Sequence, residues 1–166
     1  MLWVSSVLRM RGTGASRLFA SAGEAAAATG SSNSNKVLVS LRCPERTVLL
    51  EAKADLVTIP GSAGVFGVGP NHVPLLEQLQ PGVLTIQNDA VTSSYFVAGG
   101  FAFIKEGSIC EISTPEVAPV SDIDLEAVRK LLAQAKDRVN SAQNDQDRVT
   151  AQVAVEVFEA MQTAAQ

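Results

Sequence analysis

The residues able to do covalent or metal chemistry are few, and their spacing suits neither. A single histidine, His72, stands in a chain of 166 residues with two cysteines, Cys43 and Cys110. One imidazole excludes a multi-histidine metal centre, and neither cysteine has a Cys-x-x-Cys partner or a His/Cys cluster beside it. Both cysteines are expected to be structural or incidental thiols. A Ser-His-Asp triad would have to use His72, yet no serine sits in a Gly-x-Ser-x-Gly elbow. The stretch Gly61-Ser62-Ala63-Gly64-Val65-Phe66-Gly67-Val68-Gly69 is rich enough in glycine to cradle a phosphate. It lacks the Lys-Ser/Thr that completes such a loop, and Pro70-Asn71-His72-Val73-Pro74 is no helix start. The acid pairs Asp122/Asp124 and Asp145/Asp147 fall where helices are expected to begin, so capping accounts for them. No catalytic residue, no cofactor site and no metal site is expected.

A loop without an enzyme to serve is left over. Between Gly61 and Leu76 the chain mixes Phe66, His72, Val73, Leu75 and Leu76 with four glycines and two prolines. Apolar residues in a loop on a rigid β scaffold mark a binding surface rather than a linker. Leu75 and Leu76 are expected to face the core. His72 has two readings, as a structural residue of a turn or as an interface contact.

The elements that must position this loop are β-strands. From Lys36 to about Val120, short runs of Val, Ile, Leu and Phe are punctuated by Gly, Pro and Asn. They predict strands at 37–41, 47–51, 54–59, 65–68, 83–87, 92–97, 101–105 and 109–113, with a last one at 116–120. Phe101-Ala102-Phe103-Ile104-Lys105 and Ile109-Cys110-Glu111-Ile112 each show one apolar face. Turns are expected at Pro60-Gly61, Pro81-Gly82, Asn88-Asp89, Gly99-Gly100 and Glu106-Gly107, with Gly67 serving the same purpose. Strands this short and this closely spaced indicate a sandwich or barrel.

At Ser121 the period changes. Ser121-Asp122-Ile123-Asp124 reads as a hydroxyl-capped helix start, after which Leu125, Val128, Leu132, Ala135, Val139 and Ala142 make one apolar stripe. Asn140–Asp147 is polar. A second stripe follows in Val149, Val153, Val157, Ala160 and Ala164, with Phe158 and Met161 beside it. Two such helices on a short loop form an antiparallel hairpin. Many stripe positions are only Ala or Val, so the hairpin must lean on the β domain or on a partner. The expected fold class is α+β, mainly β: a sandwich of about 8–10 strands over 36–120, then a helical hairpin over 121–166.

Composition sets the outer limits. The chain is 46% hydrophobic and 18% charged, with Lys+Arg 13 against Asp+Glu 17. That apolar content excludes a disordered chain, two cysteines cannot staple it, and the acidic balance gives no footprint for nucleic acid. No run reaches the ~20 apolar residues of a membrane span. The charge is uneven, however. Residues 1–23 hold Arg9, Arg11 and Arg17 and no acid. An arginine-bearing, Ser-rich, acid-free N-terminus describes an organelle transit peptide over 1–19, with Arg17-Leu18-Phe19-Ala20 similar to a matrix-protease cleavage sequence and residue 35 the latest cut. Without residues 1–19 ten basic residues remain against 17 acids, a net charge near −7. Residues 20–35, mostly Ala, Gly, Ser, Thr and Asn, read as a linker or disordered arm.

Ile59-Pro60-Gly61-Ser62-Ala63-Gly64-Val65-Phe66-Gly67-Val68-Gly69-Pro70-Asn71-His72-Val73-Pro74-Leu75-Leu76, followed by Leu79-Gln80-Pro81-Gly82-Val83-Leu84-Thr85-Ile86, resembles the signature of the F-type ATP synthase δ/ε family. Tyr95-Phe96-Val97-Ala98-Gly99-Gly100 and Ile109–Pro115 are similar to that family's next block, and the likeness runs from Val37 to the C-terminus. The resemblance implies a non-catalytic rotor subunit in the central stalk of the mitochondrial enzyme. It would be clamped to the γ subunit and stand on the membrane c-ring, on the matrix side of the inner membrane, passing ring rotation to the catalytic head. It implies further that Ser62, Ala63, Gly64, Val65, Phe66, His72 and Val73 face the ring, and that the small mitochondrial ε subunit is held between sandwich and helices. Some bacterial relatives bind ATP through Ile/Leu-Asp-x-x-Arg-Ala at the first helix. Here Ile123-Asp124-Leu125-Glu126-Ala127-Val128-Arg129 has Ala127 where that arginine belongs, so no regulatory ATP site is expected. From the residues alone, a small β-barrel ligand carrier or another binding module of the matrix is the alternative. A carrier would explain the strands but not the hairpin.

Overall fold

The computed structural model describes residues 35–165. The transit segment expected at 1–19 lies outside them, as does all of the 20–35 arm except Asn35. Eight strands precede two helices: β1 (Val37–Arg42), β2 (Thr47–Ala54), β3 (Leu56–Gly61), β4 (Gly64–Val68), β5 (Leu75–Asn88), β6 (Val91–Lys105), β7 (Ile109–Ser113), β8 (Val117–Pro119), α1 (Leu125–Ser141) and α2 (Asp145–Ala164). The sheet order is β2-β1-β7-β6-β5-β3-β4, with β8 also on β6. All pairings are antiparallel except β1 with β7.

The spine is the β5–β6 hairpin, in register from Leu75↔Ile104 to Asn88↔Val91. One end carries β7 and through it β1 and β2; the other carries β3, β4 and β8. Residues from both ends meet in one core, among them Val39, Leu41, Val57, Ile59, Leu84, Val97, Ile104 and Ile112. The sheet therefore folds over on itself into a mainly β sandwich. The period-2 alternation of the strands supplies that core: Val37, Val39 and Leu41 point inward from β1, Cys110 and Ile112 from β7.

Several expected turns are not turns. Pro81-Gly82 lies within β5 and Gly99-Gly100 within β6. The predicted strands 92–97 and 101–105 are therefore one long strand, and 83–87 is the second half of a strand whose first half, from Leu75, falls outside every predicted strand. These residues make the bend between the two halves of the sandwich. Gly99 and Gly100 have φ of +108° and +124°, and a Cβ on Gly100 would collide with the Ser113 carbonyl oxygen and lie 2.9 Å from Thr114 Cα. Gly82 admits Pro60, whose Cβ would be 3.0 Å from a Cβ there. The β3–β5 register breaks at this point, between Thr58↔Thr85 and Gly61↔Leu79. Gly67 is inside β4, and Gly61 ends β3, so the turn that Pro60-Gly61 was expected to make is made by Ser62-Ala63. Glycine here serves close approach within strands, a role that composition does not separate from a turn.

The helices form the expected hairpin, with two differences. Asp124, not Ser121, caps α1, its carboxylate accepting from the Glu126 and Ala127 amides at 3.0 and 3.4 Å. Val120–Asp122 is a single 3₁₀ turn, and the Ser121 hydroxyl donates to Asp122 instead. On α2 the buried residues are Ala151, Val157, Phe158 and Met161, while Val149 and Val153 of the expected stripe are more than half exposed. Phe96 on β6 is the sheet's buried contribution to the helical core of Val128, Leu132, Ala135, Val157, Phe158 and Met161. Its neighbour Val97 points the other way, into the sandwich.

Candidate functional site

The β3–β4 hairpin closes with the pair Gly61↔Gly64, leaving Ser62-Ala63 as a two-residue turn at its tip. Gly64 has φ +130°, a backbone region open to glycine, and a Cβ there would meet nothing within 4 Å. Ser62 is the fastening point. Its amide donates to the Gln78 carbonyl (2.9 Å) and to Glu77 Oε1 (3.1 Å), and its hydroxyl donates to the same Glu77 oxygen at 2.7 Å. Gln80 Nε2 donates back to the Ser62 carbonyl at 3.4 Å. The turn is thus tied to β5 while Ser62, Ala63, Gly64 and Val65 face outward, Val65 at 70% exposure.

Phe66 takes a different position. It is half-buried against the sandwich core, and a Cβ on Gly61 would come within 2.9 Å of its ring. His72 is half-buried in the β4–β5 loop, with Nδ1 at 2.7 Å from the Val73 carbonyl oxygen and its own amide donating to the Gly69 carbonyl. Val73 is 70% exposed. The Asn71 amide donates to the Ser108 hydroxyl of the β6–β7 turn, 2.9 Å away. The two predicted surface segments therefore have separate anchors, 62–66 on β5 and 71–73 on the β6–β7 turn.

Leu75 and Leu76 correct an expectation, since both are exposed rather than in the core. Leu76 pairs with Phe103, and Phe101 lies on the same face of β6, two residues away. All three are exposed, Leu76 at 61%, so the outer face of the spine carries an apolar patch that sequence reading missed. The signal was there: at 101–104 both parities of the strand are apolar, with Ala102 and Ile104 inward and Phe101 and Phe103 outward.

A cleft of about 790 Å³ separates the hairpin from the sandwich, lined by Pro44, Glu116, Arg138, Asp147, Val153 and Phe158 among others. Burial pushes the Glu116 carboxyl above its ordinary value, with Glu45 adding to the effect. Cys110 is buried in the sandwich core, and the loss of water raises its thiol to about 12. Among the described residues no group of three His, Cys, Asp or Glu could hold a metal, and no helix is long and apolar enough to cross a membrane.

Residues 36–117 match the β-sandwich domain of the ATP synthase delta/epsilon chain. The chain is 36% identical to the mitochondrial ATP synthase F(1) complex subunit delta of Dictyostelium discoideum, over 81% of this chain and 80% of that one. The chain belongs to the ATP synthase delta/epsilon family. A mitochondrial delta subunit from Pichia angusta is 38% identical, with 80% and 82% of the two chains covered. A bacterial epsilon chain from Maricaulis maris is 34% identical over 79% of this chain and 97% of its own. The fold is similar to a chain in the Euglena gracilis mitochondrial ATP synthase structure of OSCP, F1 and c-ring, with TM-score 0.74, 23% identity, and 93% of this chain and 100% of that one covered. A chain of the Tetrahymena thermophila central stalk and c-ring gives TM-score 0.55 at 17% identity, over 77% and 95%.

Proposed function

We propose that this chain is a non-catalytic rotor subunit of a mitochondrial ATP synthase, carrying c-ring rotation through the γ subunit to the catalytic head. The observation that carries this reading is the family match along most of the chain, joined to a surface made for standing contacts. An uncharged tip (Ser62–Val65, with Val73) stands out from a hairpin fastened to the spine. In this reading the tip meets the ring, together with Phe66 and His72 behind it, and the Leu76–Phe101–Phe103 face is covered by γ. The cleft between sandwich and helices receives the small ε subunit. Residues 1–19 address the chain to the organelle, and the folded part works on the matrix side of the inner membrane. A ligand carrier is disfavoured by the helical hairpin and by the family match, neither of which it accounts for.

The test is a native pull-down from mitochondria with a tag at Gln166. The expected result is stoichiometric recovery of γ, the c-ring and the α/β head. Recovery of this chain alone, under detergent conditions that keep the complex intact, overturns the reading. A substitution refines it: Val65→Arg is expected to lower proton-driven ATP synthesis about tenfold by placing an unpaired charge in a dry contact, while hydrolysis by the head persists. Unchanged synthesis would move the ring contact elsewhere.

A further inference from the structure

We infer that Glu77 is the positioning residue of the ring-facing turn, a role that rests on the reading of the tip given above. Ser62 is one of only two residues in the turn, and four hydrogen bonds converge on it, all from β5. Two of the four end on one oxygen, Glu77 Oε1. Charge-assisted bonds are the stronger kind, and one that joins a turn to a strand restrains it more than bonds within the turn. The sequence makes room for this arrangement. Gly61 precedes the turn, and a Cβ there would lie 3.1 Å from Glu77 Cγ and 2.9 Å from the Phe66 ring. Any side chain at 61 would press on both the carboxylate arm and the aromatic that backs the tip.

The consequence is mechanical. A two-residue turn with a glycine at φ +130° beside it has little stiffness of its own. Load on Ala63 passes to Ser62, through the Glu77 carboxylate to β5, and along the β5–β6 register to the rest of the sandwich, while Val65 is held as well by its pairing with Pro60. Without the carboxylate the turn keeps the amide bond to the Gln78 carbonyl, the weak one from Gln80 and the strand pairing at Gly61 and Gly64, and Ser62-Ala63 between those two glycines is held less firmly. Glu77 thus acts through Ser62 and need not touch a partner.

The test uses Glu77→Ala and Glu77→Gln. In the full-length chain, amide hydrogen exchange at Ser62-Ala63 is expected to quicken about tenfold in Glu77→Ala, the factor that loss of a charge-assisted bond implies. In the assembled complex, Glu77→Ala should lower ATP synthesis severalfold and spare hydrolysis. Glu77→Gln, which keeps an accepting oxygen at the same reach but not its charge, should recover part of both readouts, as a bulk effect of charge would not. Unaltered exchange in Glu77→Ala overturns the proposal. Faster exchange with unaltered synthesis overturns it too, and Val65→Arg then separates the causes. If Val65→Arg still uncouples, the turn meets the ring but does not need fastening; if it is silent, the ring reading itself has failed.

Discussion

The sandwich and the helical hairpin are built to different standards. The sandwich buries Val, Ile and Leu from seven strands in one core, most of them completely. The hairpin buries few large side chains, chiefly Leu132, Phe158 and Met161, and takes Phe96 from the sheet to complete its core. Its second helix leaves Val149 and Val153 in solvent beside an open cleft. A domain of the first kind holds its shape alone. One of the second kind gains most of its stability from what it packs on, because short helices are marginal by themselves. The sandwich is thus the stiff unit, and the hairpin beside it is the adjustable one.

The harshest way to break this contrast is at the bend of the spine. Gly100→Ala puts a methyl group into the Ser113 carbonyl, on a backbone with φ +124° that L residues rarely adopt. Neither obstacle can be relieved by a rotamer. The expected loss exceeds about 4 kcal/mol, the exceptional end of single substitutions, and should show as loss of the cooperative urea transition for the whole chain.

Phe158→Ala sharpens the contrast instead. Phe158 is fully buried in the helical core, and truncating such a residue costs about 3–5 kcal/mol. The loss should fall on the hairpin alone. Helical circular dichroism should melt earlier while the sandwich transition stays in place. A single shifted transition carrying both signals would mean that the two regions fold as one unit.

The cysteines report the same difference without any mutation. Cys110 sits in the sandwich core with its thiol raised to about 12, so at pH 8 it holds almost no thiolate, whereas Cys43 is partly exposed in the β1–β2 turn. Iodoacetamide should label Cys43 promptly and Cys110 only on global opening of the sandwich. Phe158→Ala should leave the Cys110 rate unaltered. Acceleration there would tie the hairpin to the sandwich core.

The strands, the hairpin and the exposed loop were legible because each rests on local pattern: period two, period 3.6, and apolar residues among glycines. What stayed hidden depends on contacts between distant segments. Gly99-Gly100 has the composition of a turn, and only the end of the neighbouring strand β7, which brings Ser113 against it, makes it a bend inside β6. Leu76 and Phe103 are each ordinary core candidates, and only their pairing on the outer face of the spine makes them a surface. The α2 stripe failed at Val149 and Val153 because a helix buries whatever its neighbours cover, and these two, unlike Ala151 and Val157, lie where neither α1 nor the sheet covers them, Val153 on the open cleft. Glu77 could not have been singled out at all, since its meaning depends on Ser62, fifteen residues earlier, returning to it across β3.

The smallest expected effect is at the edge of the sandwich, where Lys36 opens the folded part. Its ammonium reaches Asn88 at 2.6 Å, Asp89 at 2.9 Å and Asp55 at 3.4 Å, and Asp55 also accepts from the Asp89 amide. The hydrogen bond from Asp89 and then the Lys36 charge hold the Asp55 carboxyl below its ordinary value, while the Asp89 and Asp55 carboxylates raise Lys36. The signs fix the window. A depressed carboxyl stabilises above its unfolded value and ceases to as pH falls through the folded one; a raised amine stabilises below its unfolded value and ceases to as pH rises through the folded one. Lys36→Met should therefore lower the melting temperature slightly between about pH 5 and 10. The gap from the parent chain should close as acid protonates Asp55 or as alkali discharges Lys36. These groups are open to solvent, so 1 M salt should shrink the gap at neutral pH. A gap that persists at both pH extremes would assign the effect to the packed methylenes of Lys36 rather than to its charge.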